Sequence, residues 1–189
     1  MPSDREPAFA VWITGLPSSG KSTVTRALVA ELQALGIRPA VLESDAVRRE
    51  ITPQPKYDDA DRDAFYATLA YLARELVRHG VPVIVDATAN RRTYRDRARA
   101  SIPRFFEVLV RCPLAVCRAR DPKGIYRRGA EGTARNVPGI SAPYEPPERP
   151  DLVVDGEKEN PADAARGIVI ALEAKGFLPR GPGGKAEPG

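Results

Sequence analysis

A glycine-rich loop near the start of the chain has the residues and the spacing needed to bind phosphate groups. Residues 15–22 read GLPSSGKS and match the pattern GxxxxGK[ST] in full. Glycines permit backbone angles that turn successive N–H groups towards one centre, while Lys21 reaches the β- and γ-phosphates and the Ser22 hydroxyl binds Mg²⁺. The loop therefore predicts ATP and Mg²⁺ as ligands. The predicted ATP-binding residues are Gly15, Leu16, Pro17, Ser18, Ser19, Gly20, Lys21, Ser22 and Thr23.

Two candidate catalytic carboxylates lie where the next predicted strand ends, in the segment Leu42-Glu43-Ser44-Asp45. Ligands of open α/β sheets bind outside the carboxyl ends of the strands, so Glu43 and Asp45 are expected to face the γ-phosphate. A carboxylate there can accept the proton of an attacking hydroxyl. Asp45 is therefore predicted to act with Lys21 in catalysis. The alternative is that Asp45 only caps a helix that begins at Ala46.

Asp86 ends a third apolar segment, which is the usual place for an acid that holds Mg²⁺ through water. The alternative is again a helix cap. An arginine cluster follows it, and such a cluster either grips phosphates or nucleic acid or forms a solvated helix face. Arg91 and Arg92 are favoured for the first role because they lie nearest the strand end. The cluster consists of Arg91, Arg92, Arg95, Arg97, Arg99 and Arg104.

Short apolar runs alternate with helix-spaced segments along most of the chain, which predicts buried parallel strands joined by helical crossovers. Strands are predicted at 8–14, 39–43, 81–85, 105–110 and 151–154, and helices at 22–35, 58–79 and 161–175. This order predicts a three-layer α/β/α P-loop NTPase fold with a mostly parallel central sheet.

The 189 residues fit one domain, predicted to span 1–178. Residues 121–150 are rich in Gly, Pro and Arg and predict a mobile lid, whereas 179–189 have nothing to bury and predict a disordered tail. Cys112 and Cys117 are too few for a disulfide framework and are interpreted as core thiols.

Composition limits the partners and the location. A net charge of +4 and a pI near 9.2 predict an anionic ligand without choosing between a metabolite and nucleic acid. No apolar run approaches the ~20 residues of a membrane span, and the first residues do not resemble a secretory signal. We expect a cytoplasmic protein with no membrane partner.

A phosphate loop alone does not separate kinases from other nucleotide-binding enzymes. No NKxD-type segment for reading guanine is present, which argues against a GTPase. The chain is also too short for the machinery of a large remodelling ATPase. A small-molecule kinase fits best.

Three further segments carry a resemblance to a known family. Residues 120–126 read RDPKGIY and residues 138–147 read PGISAPYEPP, similar to the RDxKGLY and TGIDxPYExP segments of adenylyl-sulfate (APS) kinases at the same separation. Pro113, Leu114 and Cys117 match the family's PLxxC. The resemblance covers about residues 8–156 and implies transfer of the ATP γ-phosphoryl group to the 3′-hydroxyl of adenosine 5′-phosphosulfate. It also implies a homodimer.

The resemblance assigns roles to individual residues. Residues 42–48 (LESDAVR) resemble the family's LDGDNVR, which implies that Asp45 is the catalytic aspartate and Arg48 a substrate-binding residue. The Asp61-Arg62 pair matches the family's DR, so Arg62 is implied to contact the substrate anion. Tyr57 falls on an aromatic that stacks on the substrate adenine. The complete substrate-binding set is Arg48, Tyr57, Arg62 and Lys123, of which Lys123 is the lid lysine.

The departures from the family lie where the acceptor would bind. Phe65 replaces the asparagine of the family's ENIRR, and Val137 replaces an aromatic of the lid. The family's ISPFR is ATANR at 87–91, with Thr88 in place of a serine that can be phosphorylated. Residues 85–92 are also similar to gluconate kinases and polynucleotide 5′-kinases.

These departures leave alternatives open. APS is the leading acceptor, and the others are a different small phosphorylated metabolite or a polynucleotide 5′-hydroxyl end. A small molecule is expected over nucleic acid. A non-catalytic ATP-binding sensor, in which ATP orders the lid, is the remaining alternative.

Overall fold

The computed structural model describes residues 8–134 and 136–179. Its centre is a sheet whose five strands run parallel. The strands are β1 (Ala10–Thr14), β2 (Ala40–Glu43), β3 (Val83–Asp86), β4 (Phe105–Arg111) and β5 (Leu152–Asp155). Their order across the sheet is β2-β3-β1-β4-β5. The carboxyl ends of β1 and β3 are therefore adjacent at the centre of the sheet.

Helices cover both faces of the sheet. They are α1 (Lys21–Ala34), α2 (Ser44–Ile51), α3 (Asp59–Arg78), α4 (Arg92–Ser101), α5 (Leu114–Arg120), α6 (Ile125–Ala130) and α7 (Pro161–Ala174). Every residue of β1 is buried, and its side chains alternate between the two faces. Trp12 packs with Leu69 and Tyr94 on one side, whereas Ile13 packs with Leu28 on the other. The predicted three-layer α/β/α fold is thus confirmed.

The predicted strands and long helices are all present, with ends shifted by one or two residues. Helix α4 was predicted only as a solvated helix face without bounds, because its sequence, RTYRDRARAS, lacks apolar periodicity. It is attached by the buried residues Tyr94, Arg95 and Ala98. Helices α5 and α6 are only 7 and 6 residues long, too short to show a hydrophobic repeat.

Residues 121–150 include α6 and pack against the phosphate loop. Tyr126 is buried, and its hydroxyl donates a hydrogen bond of 3.0 Å to the carbonyl of Pro17. A small apolar cluster beneath it contains Val137 and the two cysteines, which are free and buried as predicted. The mobility of this lid stays a prediction. Of the predicted tail, residues 180–189 lie outside the described residues.

No helix within residues 8–134 and 136–179 combines the length and the apolar character needed to cross a membrane.

The residue after β5 packs directly against the phosphate loop. A Cβ on Gly156 would lie 2.3 Å from the carbonyl oxygen of Ser19 and 2.8 Å from Cγ1 of Val110. Both distances are below those of real Cβ contacts, and the first neighbour is backbone that cannot rotate away. Glycine is therefore required here for the end of β5 to meet the loop.

We predict that Gly156→Ala lowers the free energy of unfolding by about 1–3 kcal/mol, the usual cost of overpacking a tight site. Gly167→Ala is the matched control, because the α7 residue Gly167 has no heavy atom within 4 Å of the added methyl position. That variant should be more stable than wild type by about 0.5–1 kcal/mol. Urea unfolding followed by circular dichroism measures both, and equal stabilities for the two variants would contradict the packing argument.

Candidate active site

The carboxyl ends of the central strands open into one cleft of about 1210 Å³. Its walls are strongly cationic. Nine basic residues line it, namely Lys21, Arg26, Arg48, Arg49, Lys56, Arg62, Arg120, Lys123 and Arg128. Three acidic residues line it, namely Glu43, Asp45 and Asp86. The cleft is therefore suited to a polyanionic ligand.

The phosphate loop forms one side of this cleft. A Cβ on Gly15 would lie 2.5 Å from the carbonyl oxygen of Val110 and 2.7 Å from Oγ of Ser19, so only glycine fits between the loop and β4. Gly20 is the N-cap of α1 and supplies no side-chain hydrogen bond to the helix. The first amides of α1 are consequently left for a ligand at the positive end of the helix dipole.

Lys21 is buried at the base of the loop. Its ammonium donates hydrogen bonds to the carbonyls of Gly15 (3.1 Å) and Leu16 (2.8 Å). Burial lowers the pKa of Lys21, and the negative charges of Asp86 and Asp45 oppose this shift. The ammonium is thus removed from water without an ion pair in the described structure, and a phosphate would restore its charge balance.

Asp86 lies at the end of β3, next to the loop. Burial raises its pKa, while Lys21 and a hydrogen bond from Ser22 act in the opposite direction. No helix begins at this position, because α4 starts at Arg92 with Arg91 as its N-cap. The capping alternative for Asp86 is therefore wrong. Ser22 and Asp86 together present a hydroxyl and a carboxylate to the cleft.

Asp45 lies in the first turn of α2, whose N-cap is Glu43 without a side-chain cap bond. The capping alternative for Asp45 is therefore wrong as well. Its carboxylate instead forms an ion pair with Lys123 of the lid, with Oδ2 and Nζ 2.6 Å apart. Glu43 lies 3.7 Å from the same ammonium. The hydrogen bond with Asp45 raises the pKa of Lys123.

Arg48 and Tyr57 form part of the opposite wall. Arg48 is bound to Asp61, with Nη1 and Oδ2 3.0 Å apart. Its guanidinium carbon lies 3.7 Å from the ring centroid of Phe65 and 5.1 Å from that of Tyr57. The Tyr57 side chain is 42% exposed and lines the cleft. From the sequence, Phe65 was expected only as the replacement of an asparagine. In the structure its ring makes a cation–π contact with Arg48.

Arg62 is buried, and its partners are uncharged. It donates through Nε to the carbonyl of Tyr57 (3.2 Å), through Nη1 to Oδ1 of Asn90 (2.8 Å) and through Nη2 to the carbonyl of Asn136. Within residues 8–134 and 136–179 no carboxylate forms an ion pair with Arg62. Within those residues its positive charge is therefore not neutralised by an ion pair.

Two positions that differ from the family pattern have structural partners of their own. Val137 is 3% exposed and packs with Cys112, Cys117 and Tyr126. Thr88 lines the cleft, and its carbonyl accepts a hydrogen bond of 2.7 Å from the hydroxyl of Thr14. Neither residue presents a large ring to the cleft.

The arginines of the cluster after β3 bind to other residues of the protein. Arg91 pairs with Asp59, Arg92 with Glu148, Arg95 with Glu107, Arg97 with Asp63, and Arg99 with Glu107 and Asp151. Arg104 donates to the carbonyl of Gly176 and lies over the ring of Phe177. The expectation that Arg91 and Arg92 grip phosphates is not supported, because each is engaged by a carboxylate.

Sequence reasoning assigned no role to several residues that build the cleft. Asn90 and Asn136 accept hydrogen bonds from Arg62. Arg120 donates a hydrogen bond of 2.7 Å to the carbonyl of Gly156 beside the loop. Arg120 belongs to the RDPKGIY segment, so a signal for it was present. The two asparagines had no such signal, because their partner is distant in the chain.

Several curated proteins with similar sequences are named as adenylyl-sulfate kinases. An adenylyl-sulfate kinase of Synechococcus sp. (strain JA-3-3Ab) is 38% identical over 168 residues, covering 89% of this chain and 96% of the relative. A probable adenylyl-sulfate kinase of Archaeoglobus fulgidus is 37% identical over 153 residues, covering 81% of this chain and 99% of the relative.

A solved structure agrees with these relatives. The Mycobacterium tuberculosis APS kinase CysC, in complex with AMPPNP and APS, superimposes with a TM-score of 0.83 at 32% identity. The superposition covers 88% of this chain and 98% of that chain. The family model described as adenylylsulphate kinase matches residues 7–155. The chain therefore belongs to the adenylylsulphate kinase family.

Proposed function

We propose that this protein transfers the γ-phosphoryl group of ATP to the 3′-hydroxyl of adenosine 5′-phosphosulfate, giving ADP and 3′-phosphoadenosine 5′-phosphosulfate. The observation that carries this proposal is the arrangement of Lys21 and Asp45 around one cleft that also contains Arg48 and Arg62. The first pair serves phosphoryl transfer, and the arginines supply charge for an anionic acceptor. The M. tuberculosis relative was solved with both kinds of ligand.

The ATP phosphates are assigned to residues 15–23. Residues 20–23 line the cleft, and the first amides of α1 have no side-chain cap, which fits a triphosphate at this helix start. Mg²⁺ is assigned to Ser22, with Asp86 acting through water. A hydroxyl and a carboxylate are the hard oxygen donors that Mg²⁺ takes beside phosphate oxygens. When bound, the ion neutralises charge that develops between the phosphates.

Asp45 is assigned as the group that accepts the proton of the attacking hydroxyl. Its present partner, Lys123, must move away before the hydroxyl can approach. Both side chains are 54% exposed, and an exposed pair of this kind contributes about 0–1 kcal/mol. The acceptor can therefore displace Lys123 at little cost, and the released ammonium remains near the transferring phosphoryl group.

The acceptor is assigned to the wall opposite the loop. Arg62 and Arg48 face the anionic groups of the substrate, and the exposed ring of Tyr57 offers a face for the adenine. Arg48 already covers part of that ring, with its guanidinium carbon 5.1 Å from the centroid. The base is therefore expected on the side of Tyr57 that faces away from Arg48.

One observation favours a second candidate acceptor. Phe65 and Val137 remove an amide and a ring that the family pattern places around the substrate, so a different small anionic alcohol is the alternative acceptor. A polynucleotide end is less favoured, because the arginines 91–99 that would track a strand are paired with carboxylates. The homodimer and the cytoplasmic location stay predictions.

We predict that Asp45→Asn lowers kcat with APS by about 10²–10⁴-fold, the contribution of a positioned general base. Binding of ATP should change little, because the phosphate loop is untouched. Asp63→Asn is the matched control, since Asp63 is an exposed α3 residue that pairs with Arg97 and lies outside the lining of the cleft. Coupled ADP-release kinetics measure both variants. A kcat for Asp45→Asn within threefold of wild type would remove Asp45 from the mechanism.

We also predict a clear order among acceptors. The kcat/KM for APS should exceed that for AMP, which has the same base and 3′-hydroxyl but no sulfate, by at least about tenfold, corresponding to one lost charged contact. Gluconate and a 5′-hydroxyl oligonucleotide should give no ADP above background. These acceptors can be compared in one ADP-release assay. If gluconate or the oligonucleotide exceeds APS, the proposed acceptor is wrong, and if none reacts, the proposed acceptor is also wrong and another anionic alcohol or a non-catalytic sensor is left.

A further inference from the structure

Asn90 is a buried polar residue to which neither the family pattern nor the proposed chemistry gives a role. It is 3% exposed and lies in the turn after β3. Its Oδ1 accepts a hydrogen bond of 2.8 Å from Arg62, and its Nδ2 donates one of 3.0 Å to the carbonyl of Pro143. The side chain thus connects the cleft arginine with the segment that follows the lid.

The turn that holds Asn90 is fixed on several sides. The amide of Ala89 donates a hydrogen bond of 3.1 Å to the hydroxyl of Tyr66, and the carbonyl of Ala89 accepts a hydrogen bond from the buried Arg95. The carbonyl of Asn90 accepts 2.7 Å from the amide of Glu145. The backbone is held in this way, and the side-chain amide of Asn90 lies between Arg62 and the carbonyl of Pro143.

Because the Asn90 side chain is uncharged, it leaves the positive charge of Arg62 available for an anionic ligand. Arg48, the other arginine of this wall, is paired with Asp61 at 3.0 Å, so much of its charge is compensated. Arg62 is held by two carbonyls and one amide oxygen, which fix its position without cancelling its charge. A buried cation with neutral partners attracts an anionic ligand strongly, because desolvation has already been imposed on it.

The family pattern quoted above adds a second observation. At positions 65 and 90 the similar segments ENIRR and ISPFR have asparagine and phenylalanine, whereas this chain has Phe65 and Asn90. The ring and the amide have changed places. In the structure the ring lies 3.7 Å from the guanidinium carbon of Arg48, and the amide is bonded to Arg62. Both groups thus remain beside the cleft arginines, on different elements.

We infer that Asn90 is a positioning residue for the acceptor. It holds the guanidinium of Arg62 in the cleft with its full charge available to the anionic sulfate or phosphate of the acceptor, and it ties that arginine to residues 143–145. This inference rests on the proposed function. It also gives this site an amide beside Arg62 although Phe65 occupies the position of the family's asparagine.

The test is Asn90→Asp, which keeps the size and the oxygen that accepts from Arg62 but adds a negative charge beside it. We expect the KM for APS to rise at least tenfold, while kcat at saturating APS and the KM for ATP stay within twofold of wild type. Asn160→Asp is the matched control. Asn160 caps α7 by accepting from the amide of Ala162, a role that aspartate fills equally well, so all its constants should match wild type.

A second variant keeps the test informative if Asn90→Asp does not fold. Asn90→Ala removes both side-chain hydrogen bonds without adding charge, so it should raise the KM for APS severalfold and leave the KM for ATP unchanged. Asn90→Asp should raise the KM for APS further. An APS KM within twofold of wild type in either variant overturns the inference. Equal increases in the KM of APS and of ATP also overturn it, because they indicate a general distortion of the cleft.

Calorimetric titration with APS separates this inference from the proposed function. If wild type binds APS without turnover, the proposed function fails, and a tenfold loss of APS affinity in Asn90→Asp still supports the role of Asn90. If wild type turns APS over and the variants bind it as wild type does, only the role of Asn90 fails.

Discussion

The burial of the Lys21 ammonium at the base of the phosphate loop is the interaction on which the site depends. Its hydrogen bonds go to loop carbonyls, and its acidic neighbours Asp86 and Asp45 act on it only as nearby charges. Removing a cation from water is costly unless an anion compensates it. The protein supports this arrangement through the close contacts of Gly15 with β4 and of Gly156 with the loop. We propose that the triphosphate of ATP is the compensating anion, so that binding and catalysis would use the same buried charge.

The other basic residues also follow the rule that a cation is paired with an anion, either a carboxylate of the protein or a ligand. Arginines of α4 are paired with carboxylates of α3, β4 and the segment near residue 148. Among the residues that the structure describes, the cleft in contrast has nine basic and three acidic residues, an excess of six positive charges in a chain whose net charge is +4. The excess charge of the protein is therefore concentrated in the cleft. That distribution, and not the pI, distinguishes a small anionic substrate from a nucleic-acid track.

The parts that the sequence predicts are those encoded locally. An apolar run before GLPSSGKS predicts β1, the loop and α1, because strand burial and the spacing of loop glycines are both local properties. The basic helix α4 was expected only as a solvated face, and the burial of Arg95 was not predicted because its partners lie on β4 and beyond the lid. The capping alternatives for Asp45 and Asp86 were wrong for a similar reason. Caps are local, whereas Lys123 and Ser22 reach these carboxylates only in the folded chain.

Comparing single residues of this chain with the family pattern is limited in the same way, because contacts between distant positions are not visible in it. Considered alone, Phe65 is the loss of an amide from the acceptor site. The structure shows that Asn90, 25 positions further along the chain, places an amide against Arg62 from the turn after β3. The position of an arginine depends on which groups surround it and not on which element supplies them. A side chain from another element can therefore hold an arginine in place even where one substitution, taken singly, predicts a weaker site.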